Sequence, residues 1–139
     1  GWGGFLPWNF RERWQASFDA LRGGPGGSGG LFVAPILSEL ILNRYLSTDV
    51  WPFVEDIASS WGDMETVIPA HFEAPVATRA SDWRDAFRRT FGEPPGSFSL
   101  PFFGGVSPGP KPLAADLEYL RNISSFLTAA GVIDPPETL

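Results

Sequence analysis

Residues 49–73 read DVWPFVEDIASSWGDMETVIPAHFE, and a change of period inside this stretch decides the class of fold. Val50, Phe53, Val54, Ile57, Ala58 and Trp61 fall at i, i+3, i+4, i+7, i+8 and i+11, one stripe of an α-helix. Ser47 or Thr48 is placed to cap a helix over about Asp49–Ser60, and Gly62 to end it. Thr66, Val67 and Ile68 then make a β-branched run before Pro69, the composition of a short buried strand. One such strand is not stable alone, so its neighbours are expected outside this sequence or in weak segments such as Phe98–Phe103. Helix followed by buried strand gives an α/β class.

Working towards the amino terminus, a helix is predicted over about Phe32–Leu46, with Ile36, Leu37, Leu40, Ile41 and Tyr45 on a broad apolar face expected to be buried. Pro35 is compatible with it only because it falls in the first turn. Asn9 caps a helix over about Phe10–Leu21, whose Phe10, Trp14, Phe18 and Leu21 share one face. The glycines of Gly23–Gly30 follow a helix rather than a strand and carry no P-loop lysine, so they read as a linker and not as a phosphate cradle. Gly1–Trp8 is an aromatic arm without regular structure.

Towards the carboxyl terminus, Ser81 caps a helix over about Asp82–Phe91, with Trp83, Ala86, Phe87 and Phe91 inward and Arg84, Asp85, Arg88 and Arg89 outward. Gly92 and Pro94 finish it, and Glu93–Pro112 is a long loop rich in proline and glycine around Phe98, Leu100, Phe102 and Phe103. A last helix over about Leu113–Ala130 places Leu113, Leu117, Leu120, Ile123 and Leu127 on one face, with Val132 and Ile133 packing back. The chain thus divides into residues 1–30 (arm, helix and linker) and 31–139 (an α/β unit with a loop at 93–112).

The 139 residues are enough for one core. Ten basic against sixteen acidic side chains leave a net charge of −6, which argues against nucleic acid as a partner. With no cysteine, disulfides and thiolate chemistry are excluded. The longest apolar run, Leu31–Leu42, is interrupted by Pro35, Ser38 and Glu39 and falls short of a membrane span. The chain starts at Gly1 with no charged and apolar leader before it, the mark of a truncated start.

Chemistry has few carriers. His71 is the one histidine, directly after the predicted strand, where catalytic and metal-ligating side chains of α/β folds often sit. A zinc or iron site needs three or four ligands, and only carboxylates such as Glu73, Asp63 or Glu65 are near it in sequence. A histidine hydrogen-bonded at a strand end is the simpler reading. Glu55–Asp56 and Asp116–Glu118 lie on outward helix faces, and no G-x-S-x-G nucleophile elbow occurs, so no catalytic residue and no cofactor is assigned. Trp2, Phe5, Trp8, Phe98, Phe102 and Phe103 fit no helical stripe and are the candidates for a protein interface.

The segments Val33–Leu37, Leu40–Arg44, Val54–Trp61, Val67–Val76, Asp82–Phe87, Asp116–Leu117 and Gly131–Ile133 resemble the end of a domain-of-unknown-function family, DUF4336, most specifically in I-P-A-H-F-E-A-P at residues 68–75. That family occurs in cyanobacteria, algae and plant plastids. The resemblance, over about Leu31–Ile133, implies the helix-rich carboxyl-terminal half of a metallo-β-lactamase-like αββα sandwich, with about five helices and few short strands. It also implies that His71 matches the late histidine that closes a metal site in metal-binding relatives. The earlier histidines of such a site are absent. The expectation is therefore a non-catalytic accessory or scaffold subunit of a plastid protein complex, such as a photosystem or antenna assembly. It would sit in the chloroplast stroma or on the stromal face of the thylakoid. The rival expectation is a metal-dependent hydrolase whose metal-binding first half is missing.

Overall fold

The computed structural model describes residues 15–21, 30–70, 74–96 and 109–138. Among them are five α-helices: α1 at residues 15–21, α2 at Pro35–Leu40, α3 at Trp51–Ser60, α4 at Ala80–Phe91 and α5 at Ala114–Ala129. Two short strands, β1 (Thr66–Val67) and β2 (Val76–Ala77), form an antiparallel pair with Thr66 opposite Ala77 and Val67 opposite Val76. Helix α2 packs on α5, and α3 packs on α4. None of the described helices is long and apolar enough to cross a membrane.

The core follows the predicted stripe of α3 in part. Val50, Val54 and Ala58 are buried, with Val54 at 0% exposure, and Leu46 and Trp51 join them. Leu42, Trp83, Phe87 and Phe91 pack against this cluster, so the inward face predicted for α4 holds. The Trp83 indole Nε1–H donates to the Val54 carbonyl at 3.1 Å, and its ring meets Phe53 edge-on at 5.9 Å and Phe87 at 5.0 Å. Phe53 and Trp61, read as inward, are instead 53% and 63% exposed: the buried arc is centred on Trp51, Val54 and Ala58, and these two lie on its flank.

The predicted helix over Phe32–Leu46 breaks into three. After α2 the chain makes a 3₁₀ turn at Leu42–Arg44 and a π-turn at Leu46–Val50 that runs directly into α3. Pro52 supplies a reason for the π-turn. It has no N–H to give the carbonyl of residue 48, its ring crowds that carbonyl, and the Val50 and Asp49 amides both reach back to the Tyr45 carbonyl at 3.0 Å. The break also turns the apolar face predicted for α2 outward, so Ile36 and Leu37 are 57% and 44% exposed while Ser38 and Arg44 are buried.

Arg44 occupies the joint. Its Nε donates to the Asp134 carbonyl at 2.8 Å and its Nη1 to the Glu39 carbonyl at 2.6 Å and to the Asn43 side chain. Its Nη2 donates to the Ser124 hydroxyl at 2.5 Å and to Thr128 Oγ1 at 3.4 Å. One guanidinium thereby ties the end of α2, the inner face of α5 and the chain beyond α5. That last segment is pinned further. The Tyr45 hydroxyl donates to Asp134 Oδ2 at 3.1 Å, the Glu137 amide donates to the Asn43 carbonyl at 2.9 Å, and Ser47 gives Glu137 both its amide, at 3.1 Å, and its hydroxyl. Glu137 thus does the capping expected of Ser47 or Thr48 from ninety residues away along the chain.

Other expectations change in detail. The strand at Thr66–Ile68 is not without a sister: β2 pairs with it after a connection at 68–75, and the Thr78 amide extends the pair by donating to the Glu65 carbonyl at 2.9 Å. A strand of two residues between Pro75 and Arg79 carries no period to read, which is why the sequence conceals it. Ile68, read as buried, is 81% exposed because it lies just past the pairing. Helix α4 starts at Ala80, and Asp82 rather than Ser81 closes its first turn by accepting the Arg79 amide at 2.9 Å. Arg89 turns inward, its Nη2 donating to the Leu31 carbonyl at 2.7 Å. A Cβ on Gly109 would lie 2.5 Å from the Arg89 Cζ, so the glycine is what lets the chain pass there. Gly92, at φ +81°, ends α4 as expected.

Val54→Ala should cost about 2–3 kcal/mol, towards the lower end of aliphatic truncations in a packed core, and Trp61→Ala less than about 0.5 kcal/mol. Urea midpoints of the two variants check the register of α3. Arg44→Met keeps the stem but leaves the Glu39 and Asp134 carbonyls and two hydroxyls without their donor, and should cost about 2–4 kcal/mol on the same measurement.

The tail contact also sets a pH dependence. Hydrogen bonds from the Ser47 hydroxyl and amide hold the Glu137 carboxyl below the usual range. A depressed carboxyl stabilises the fold above its unfolded value, and that contribution is lost as the pH falls through the folded one. The stability gap between wild type and Glu137→Gln should therefore be full near neutral pH and close on acidification, read by urea unfolding across the acid range.

Candidate apolar binding site

Residues 30–34, of which Phe32–Ala34 fall in the helix predicted over Phe32–Leu46, have no regular secondary structure and line an open cavity of about 770 Å³. Leu31, Phe32, Val33 and Ala34 line it with Ile36, Leu37 and Leu42 and with Leu21 of α1. Val67, Pro69, Ala70 and Val76 from the two strands and their connection, and Val50, Phe53, Trp83, Ala86 and Phe87, complete the described lining. The size is within the roughly 300–1,000 Å³ of ordinary ligand sites. Among the described lining residues the one ionisable side chain is Asp49, exposed in the first turn of the helical run from Leu46, with the Thr48 hydroxyl donating to its Oδ2 at 2.6 Å.

This arrangement explains the outward turn of Ile36 and Leu37. These half-exposed aliphatic side chains line the same cavity as Phe53 and Trp83, so their apolar surface is gathered in one place rather than scattered. Such a surface can take up apolar groups.

The site residues picked from sequence fall differently. His71, with Phe72 and Glu73, lies outside the described residues, as do Trp2, Phe5, Trp8, Phe98, Phe102 and Phe103. The residue before His71, Ala70, lines the cavity, so the 68–75 motif leaves β1 at its edge. Asp63 and Glu65 are exposed, and among the described residues no three His, Asp or Glu side chains gather as metal ligands would. Glu55 is engaged by Arg84 at 3.1 Å, and Asp56 accepts from the Ser60 hydroxyl at 3.4 Å, both on the surface as expected. Reading by sequence missed Asp49 and the lining run at Leu31–Ala34. The available signal was the apolar run Leu31–Leu42, which is longer than one helical stripe requires.

Residues 1–89 match the family model described as Domain of unknown function (DUF4336). The chain belongs to the DUF4336 family. The matched stretch corrects the placement drawn from the motif, because it starts at residue 1 and covers the amino-terminal 64% or so of the chain instead of residues 31–133. The chain is therefore not assigned as the carboxyl-terminal half of the family's domain. Neither the curated proteins nor the solved structures contain a match to it. All the described residues around the cavity, from Leu21 to Phe87, belong to the DUF4336 stretch, whereas α5 and the clamped tail follow it.

Proposed function

We propose that this DUF4336 protein is a non-catalytic accessory or scaffold subunit that docks on a larger protein assembly through its apolar cavity. The observation that carries the proposal is the lining: apolar side chains from five segments converge on one open space, and Asp49 is the one carboxylate among the described lining residues. Protein interfaces have such a centre, apolar and aromatic with a polar rim. The cavity belongs to the family-matched residues, which makes docking a property of the DUF4336 part of the chain. Trp2, Phe5, Trp8, Phe98, Phe102 and Phe103 are the residues that would widen the contact.

The setting in this proposal is the plastid, in the stroma or on the stromal face of the thylakoid, with a photosystem or antenna assembly as the partner. It is supported by the family's distribution among cyanobacteria, algae and plant plastids. A metallo-β-lactamase-like αββα sandwich is the finer fold in the same reading, and the β1–β2 hairpin is the part of this chain compatible with its sheet.

Ile36→Asp with Leu37→Asp places two charges in the cavity at exposed positions, so helix content by circular dichroism should be unchanged and the melting temperature should shift by less than about 4 °C. The wild-type chain should sediment with a large assembly from a chloroplast lysate, and this variant should sediment free. Wild-type protein sedimenting as a free monomer would sink the scaffold reading. Stoichiometric zinc on the purified chain, lost in His71→Ala, would replace it with metal-dependent hydrolysis.

A further inference from the structure

Among the described lining residues Asp49 is the one charged side chain. Asp49 is exposed, lines the cavity, and is oriented by the Thr48 hydroxyl at 2.6 Å. No lysine or arginine is among the described lining residues. The chain as a whole carries a net charge of −6, and among the described arginines Arg44 is held in the α2–α5 joint, Arg84 by Glu55, Arg88 by Asp85 and Glu93, and Arg89 by the Leu31 carbonyl. An apolar occupant with an anionic end would meet repulsion there. One with a cationic end would meet a carboxylate.

We propose that the occupant of the cavity is a protein segment of large apolar side chains followed by a lysine or arginine, whose cation pairs with Asp49. The inference rests on the docking reading above and adds the partner's charge to it. The volume holds a few large side chains, not a folded domain, so the partner presents a short segment. The apolar side chains supply most of the affinity, and the exposed ion pair selects among segments. A pair of this kind is worth about two- to fivefold in affinity and weakens with salt.

The test uses the full chain and three labelled peptides of identical apolar sequence, Leu-Phe-Leu-Phe, followed by Lys, Gln or Glu, titrated by fluorescence anisotropy at low ionic strength. Binding should rank Lys over Gln over Glu, with about two- to fivefold at each step, and the steps should shrink as salt is added. In Asp49→Asn the three peptides should bind alike, near the level of the Gln peptide in wild type, with helix content unchanged. Equal binding of all three by wild type, or a ranking that survives Asp49→Asn, overturns the charge selection and leaves the apolar docking reading in place. Failure of all three to bind wild type overturns both. Binding to neutral phosphatidylcholine vesicles without binding any peptide assigns the cavity to lipid and overturns the proposal.

Discussion

Arg44 surrenders its hydration to oxygens that carry no full charge: two backbone carbonyls, two hydroxyls and an amide. A buried cation is expensive unless every donor is met, and an unpaired one would cost several kcal/mol. The acceptors come from next to Arg44 and from a stretch 80–90 residues downstream, so the cost is met only when α2, α5 and the segment around Asp134 are together in place. The constraint is directional. A hydrophobic contact would tolerate sliding of α5 along α2, whereas a planar fork of N–H donors fixes register and distance.

That joint also determines which face of α2 meets α5. With Ser38 and Arg44 turned inward, Ile36 and Leu37 are left outward, and the π-turn ahead of Pro52 carries the chain into α3 with Val50 and Val54 towards α4. The apolar cavity is the space between these choices. Glu137 supplies the carboxylate at the start of that helical run, where the helix dipole favours negative charge, and its own sequence position gives no hint of the role.

Helices with a strong period were legible from sequence. Those of α3, α4 and α5 were placed to within two residues at each end, and the inward faces of α4 and α5 were read from spacing alone. What was not legible depends on partners distant in the chain. The break after Leu40 follows from burying Arg44 against α5, and a single sequence reads an arginine as solvated. The hairpin was missed because β2 is two residues long, and the cap on Ser47 because the capping carboxylate is ninety residues downstream. For the same reason the candidate site was only partly visible. The run at Leu31–Ala34 could be seen as apolar, but its part in the cavity needs the strand residues and α4 that line the same space.

The residues matched to the family end at 89, inside α4, while α5 and the tail that clamp α2 come after. The cavity and its brace therefore have separate origins along the chain. The DUF4336 part provides the lining, and the following residues hold α2 from behind, on the side away from the cavity-facing Ile36 and Leu37. The apolar lining needs such backing, because a six-residue helix carrying half-exposed aliphatic side chains has little propensity of its own to stay helical. Without α5 the same side chains could collapse onto Phe53 and Trp83 and fill the space. Held from behind by a buried arginine, they stay at the cavity.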